Sequence, residues 1–271
     1  MSKENKKKKK RIWFDLIFVI SLLCFLGSGI YLVRYFYIVH RSQKNVDVLK
    51  DQMMVEDTAT DDFEDESGDV ADPKSDDGKL RRSFDKLLAQ NSDIVGWIQI
   101  EETSIDYPVM QTPSDNEFYL HRNFNKAYEF SGLPFVDARC DVKKPSENLI
   151  IYGHHMNTDT MFTAVHEYKK KAFFEEHPII QFDTIYGQGD YQICYVILSK
   201  AYEEETTAFQ YYDFIECKDE KEFEYTKKSL EKLSIYDTGE TITREDQLIT
   251  LSTCEYSQDN GRMAIIAKKI R

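Results

Sequence analysis

The sequence predicts a mainly β fold, closed into a barrel or packed as a sandwich, behind a hydrophobic N-terminal segment. Three observations carry this expectation. Eight short runs rich in β-branched and aromatic residues recur from residue 94 onward, turn residues separate most of them, and a helical repeat is confined to 80–91 and 219–233. The chain has 271 residues, of which 13% are aromatic, enough for one good-sized domain with appendages. Its net charge of −13 argues against a nucleic-acid partner, because phosphate binding needs a basic surface. No internal repeat is evident.

The first element is a basic tail, residues 1–11, with an unbroken run from Lys6 to Arg11. Residues 12–34 follow as "IWFDLIFVISLLCFLGSGIYLVR", about as long as the roughly 20 residues a helix needs to span a bilayer core. Asp15 falls near one edge of the segment, and Arg34 with Tyr31, Tyr35 and Tyr37 suits the other interface. The basic run keeps the N-terminus cytoplasmic, which places the rest of the chain outside the cell. A cleaved signal peptide fits less well: the apolar stretch is long, and no small-x-small site precedes the aromatic cluster. Residues 35–79 follow, polar and acidic from residue 41 and notably from Asp51 to Asp77. They read as a disordered tether, with too little apolar surface to offset the entropy of ordering.

The globular domain is expected at 80–271. Its first helix, "LRRSFDKLLAQN", places Leu80, Phe84, Leu87 and Leu88 on one face. The β-like runs come next in order: "IVGWIQI", "SIDYPVMQ", "GLPFVD", "NLIIYG", "PIIQFDT", "DYQICYVILSK", "QLITLSTC" and "RMAIIAKKI". Between the sixth and seventh lies "DEKEFEYTKKSLEKL" (219–233), helical by pattern, with Phe223, Leu230 and Leu233 roughly on one side.

Chemistry concentrates at strand ends. Cys254 closes "TLSTC", and Arg262 opens the next run eight positions later across the turn-rich Asp259-Asn260-Gly261. A hairpin folded there sets thiol and guanidinium nearly opposite each other. Arginine cannot serve as a base at neutral pH, but it can favour a thiolate and donate hydrogen bonds to an oxyanion. Alone, each residue has a plainer reading: a cysteine after "LST" is more often a small buried hydrophobe, and an arginine opening a strand is a solvated rim charge. The base candidates are His154 and His155 in "YGHHM", at another strand end. Adjacent side chains there point to opposite faces, and no Cys, Asp or Glu set shows ligand spacing, so no metal site is expected. His40, His121, His166 and His177 read as structural. Of the five cysteines, Cys24 lies in the apolar segment, and no pair shows CxxC spacing. Nothing points to a disulfide among Cys140, Cys194 and Cys217.

"YGHHM", "TLSTC" and an arginine shortly after the cysteine, in this order behind an N-terminal anchor, resemble the sortases, class B in particular. The resemblance covers about 80–271 and includes "NSDIVGWIQIEETSIDYPVMQ", "DNEFYLHRNF" and "SGLPFVD". It implies an eight-stranded β-barrel with N-terminal helices and an extra helix between the sixth and seventh strands, which fits 219–233. It implies a membrane-anchored cysteine transpeptidase of Gram-positive bacteria, acting without a cofactor. Such an enzyme cuts an NPxTx- or xPxTG-like C-terminal sorting signal of surface proteins after threonine, through a thioacyl intermediate. It then transfers the product to an amine of peptidoglycan or its lipid II precursor. By motif match, Cys254 is the nucleophile, His154 the general acid/base, and Arg262 the oxyanion and substrate stabiliser. Similarity extends substrate contact to Asn116, Leu120, Ser252 and Glu255, and more loosely to Thr207 and Tyr211.

Other classes fit worse. Papain-like proteases place the cysteine before the histidine, and L,D-transpeptidases set arginine almost beside the cysteine; "LSTCEYSQDNGR" does neither. Two rivals stay open: a pilin-polymerising sortase, and a tethered non-catalytic domain with Cys254 buried in its core.

Overall fold

The computed structural model describes residues 3–53, 83–202, 207–257 and 259–271. The chain divides into two compact units, Met1–Asn45 and Val46–Arg271. The first is most of one helix, α1 (Lys3–Met53), whose apolar side chains from Trp13 to Tyr37 are largely exposed. The stretch beginning at Trp13 is long and apolar enough to cross a membrane, with mean hydropathy 2.5 over its most apolar window.

The second unit begins in the last turns of α1, and this corrects the expected tether. Residues 35–53 are helical. Val46, Leu49 and Met53 repeat at three and four positions, so they form one apolar stripe, and all three are buried in the main core. Lys50 pairs with Asp106, and the Met53 carbonyl accepts from Ser83 N at 3.2 Å. Average composition hid that stripe among acidic residues. The remainder of the expected tether, 54–79, lies outside the described residues, as do Leu80 to Arg82.

After α2 (Asp85–Gln90) come β1 (Ile94–Gln99), β2 (Asp106–Met110), β3 (Phe135–Val136) and β4 (Asn148–Tyr152). Next are α3 (Lys171–Glu176), β5 (Ile179–Thr184), β6 (Asp190–Lys200), α4 (Glu220–Leu233), β7 (Leu248–Cys254) and β8 (Gly261–Lys269). The strands close a barrel in the order β1-β2-β3-β4-β7-β8-β6-β5. Closure removes the open edges that a flat sheet would expose. Trp97, Ile98, Val109, Ile151, Phe182, Val196 and Leu251 are buried in the main core, and the Trp97 indole donates to Asp106 at 2.6 Å.

A second core lies between α4 and strands β6 to β8: Phe223 and Leu230 join Ile197, Leu248, Ala264 and Ile266. With both faces covered, these strands read as continuous apolar runs rather than alternating ones. Asp219 caps α4 by accepting from Glu222 N at 2.9 Å.

Candidate active site

Strand direction assembles the site. β4 and β7 run parallel, with Tyr152 beside Ser252, so both end at the same rim of the barrel. β8 runs antiparallel to β7 and starts at that rim, with Arg262 in register with Cys254. Residues separated by a hundred positions in sequence thus share one opening: His154 just past β4, Cys254 ending β7 and Arg262 opening β8. All three line a cleft of about 370 Å³ with Asn116, Leu120, Tyr152, Tyr211, Tyr212 and Ser252.

Local geometry fixes each group. Gly153 is required by close approach: a Cβ there would lie 2.5 Å from the Phe162 ring. With that ring packed in place, Phe162 N donates to the His154 carbonyl at 2.9 Å and folds the loop back. The His154 ring stacks on His121 with centroids 5.3 Å apart, and its Nε2 lies 2.9 Å from the Leu120 carbonyl. A carbonyl only accepts, so Nε2 carries the proton and Nδ1 is the nitrogen that can exchange one. Gly132, at φ +57°, lies so close to the Tyr119 and Leu120 carbonyls that no side chain would fit. Burial lowers the His154 pKa; the Leu120 bond pulls it up and His121 pushes it down further, and the net direction is down.

Cys254 is half-buried, whereas Cys140, Cys194 and Cys217 are buried. Burial pushes the Cys140 and Cys194 thiols up to about 11 and about 12. All are free, so no disulfide forms among the described residues. Arg262 donates from Nη1 to Gly261 O at 2.9 Å, one of its five N–H groups. Tyr211 is buried and shares a 2.7 Å hydrogen bond with the Ser252 hydroxyl, joining the β6–β7 connection to the cleft wall. Asn116 accepts from Ala138 N at 2.7 Å through Oδ1.

Two of the expected contact residues lie elsewhere. Glu255 is buried beneath the rim, where Lys169 donates at 2.7 Å and Ser257 Oγ at 2.6 Å. Burial raises its pKa, but those donors outweigh it and hold the carboxyl at about 2. A depressed carboxylate contributes stability above its unfolded pKa and loses it as pH falls toward the folded value. Glu255→Gln should therefore lower the melting temperature at pH 7, with the gap to the parent narrowing by pH 3. An unchanged gap between those pH values, measured calorimetrically, would contradict the assignment. Thr207 lines a separate cleft with Phe209 and Tyr225 on the α4 side.

The sequence reading missed several supports. Arg139 donates to Asp137, to Asp213 and to the Tyr212 carbonyl, while Asp137 also accepts from Tyr152 OH at 3.0 Å. This network pins two cleft-lining tyrosines, and the D-x-R spacing in "VDARC" was its one sequence signal. His121, read as structural, backs His154. His155 turns away from the cleft-lining residues and stacks on His166 and Tyr256 at 3.8 and 5.3 Å.

Comparison with known proteins identifies the family to which this fold belongs. The Sortase domain family matches residues 98–270. Sortase B of Staphylococcus aureus is 34% identical over 194 residues, 71% of this chain and 76% of that protein. Sortase B of Listeria monocytogenes is also 34% identical, over 195 residues, with the same two coverages. A Staphylococcus aureus sortase B–substrate complex aligns with TM-score 0.63 at 33% identity, covering 69% of this chain and 84% of that one. Sortase B from B. anthracis aligns with TM-score 0.69 at 28% identity, covering 87% and 99%. With half the chain and more inside the family match, and an eight-stranded barrel that aligns with solved members, the chain belongs to the sortase family, as a cysteine transpeptidase of class B.

Proposed function

We propose that Cys254, His154 and Arg262 carry out transpeptidation on sorting-signal proteins, in a domain held at the outer face of the membrane by α1. The observation that carries this is their convergence on one open cleft from three strand termini. A core cysteine would not line a cleft, so the non-catalytic alternative loses its premise.

The chemistry follows from the groups. The Cys254 thiolate attacks the threonine carbonyl carbon of an NPxTx- or xPxTG-like signal. The carbonyl π electrons move onto oxygen, and the Arg262 guanidinium holds that oxyanion. The C–N bond then breaks, the departing amine takes the Nδ1 proton of the His154 imidazolium, and a thioester remains. An incoming amine of peptidoglycan or lipid II attacks the thioester, neutral His154 takes its proton, and the thiolate leaves. Burial lowers the His154 pKa, which disfavours the imidazolium that the first step uses, so slow turnover is expected. The apolar lining from Leu120 and the tyrosines suits the signal's side chains, with Asn116 and Ser252 as polar contacts.

Arg262→Lys tests the fork. An ammonium presents a single point charge, so peptide-cleavage kcat should fall about 100-fold, with Tm within a few degrees of the parent. Equal rates in both enzymes would remove Arg262 from the mechanism.

A further inference from the structure

We infer that His166 is a positioning residue for the nucleophile: its side chain supplies the backbone hydrogen bond that β4 stops providing one rung too early. This rests on Cys254 being the nucleophile. β7 lies between β4 and β8, and carbonyls of alternate residues on a strand point to the same side. On the β4 side, Ser252 O accepts from Gly153 N at 3.1 Å. There the chain turns away into the His154–Phe162 loop, so the next carbonyl on that side, Cys254 O, has no β4 amide to meet. His166, in the 3-10 turn Thr163–Lys169, fills the gap with Nε2 at 2.8 Å from Cys254 O.

The other end of the same peptide unit is held as well: Glu255 N donates to Gly261 O at 2.9 Å. The Cys254–Glu255 peptide is therefore clamped at both its C=O and its N–H, at the end of a strand that would otherwise fray. That clamp keeps the sulfur in register with Arg262 across the hairpin mouth.

The imidazole is itself oriented. His155 stacks on it at 3.8 Å, and Tyr256 in turn stacks on His155 at 5.3 Å. Lys169, Glu167 and Glu255 are the charged groups around it. Burial and Lys169 favour its neutral form, against the bond to Cys254 O and the two glutamates. Because a carbonyl only accepts, neutral His166 must be the Nε2–H tautomer. It touches neither substrate nor Sγ in this role, so its loss should act on rate rather than on peptide affinity.

The test uses the full chain in detergent, once Cys254-dependent cleavage of a sorting-signal peptide has been established; absence of that cleavage would refute the proposed function, not this inference. His166→Phe keeps a stacked ring and removes the donor. Its kcat should fall about 10- to 100-fold, with KM within twofold and Tm within a few degrees. His166→Gln restores an N–H donor and should recover a third or more of the parent kcat. If the phenylalanine variant does not fold, His166→Met, also without a donor, takes its place. In the unmodified enzyme, nitrogen-15 shifts should show His166 protonated at Nε2. A donor-less variant as fast as the parent, a glutamine variant no faster than it, or an Nδ1–H tautomer would each overturn the inference.

Discussion

Cys254→Ala is expected to abolish cleavage of a sorting-signal peptide, by at least about 10³-fold, the scale seen when a covalent nucleophile is removed. No other thiol can substitute. Cys140 and Cys194 are buried, with burial disfavouring their thiolates, and Cys217 is buried on the α4 side of the barrel. The same variant should lose modification by a charged methanethiosulfonate reagent, since Cys24 lies in the apolar part of α1, where such a reagent does not enter a bilayer or micelle. The fold should survive, because the side chain removed is small and half-buried. Mass spectrometry of the parent with peptide should show a thioester adduct on the Cys254 peptide. Parent-like cleavage by the alanine variant would end the transpeptidase mechanism as described.

The strands were legible because their pattern is a direct record of burial. "DYQICYVILSK" is β6 residue for residue, its continuous apolar stretch fixed by the barrel interior on one face and α4 on the other. "GLPFVD" promised more than it delivers: β3 is two residues long, with a single pairing to β2. The start of the second unit was misread for a related reason. Three buried side chains at helical spacing decide the fate of Val46–Met53, whereas the tether reading averaged over their acidic neighbours.

At the site, the residues that chemistry singles out were readable because strand ends deliver side chains to a rim. Glu255 was not, since its direction depends on Lys169, eighty-six positions earlier, and Thr207 was not, since a long connection decides which cleft it lines. His121 and His166 escaped for the same cause. Each acts through one partner that only the closed barrel brings near, respectively the His154 ring and the Cys254 carbonyl.

The contrast between the adjacent histidines is the sharpest remaining test. His154→Ala should lower kcat by about 10² to 10⁴, the range for a positioned proton carrier. His155→Ala should lower kcat far less, by under about 10-fold, because His155 does not line the cleft and acts only indirectly, through its stacking on His166. The pH profile separates a chemical loss from a structural one. In the parent, the active form holds one proton on the cysteine–histidine pair, carried by His154. Adding a second proton as pH falls defines the acid limb, and losing the only one as pH rises defines the basic limb. Burial lowers the His154 pKa, so the acid limb of kcat/KM should lie below about 6.5, the ordinary histidine value. Without His154 no imidazole among the described residues lines the cleft, and the acid limb should vanish from the residual activity. A variant that keeps the parent's bell at reduced height would show that the alanine merely disturbs the fold, and would move the proton-transfer role to another group on the cleft.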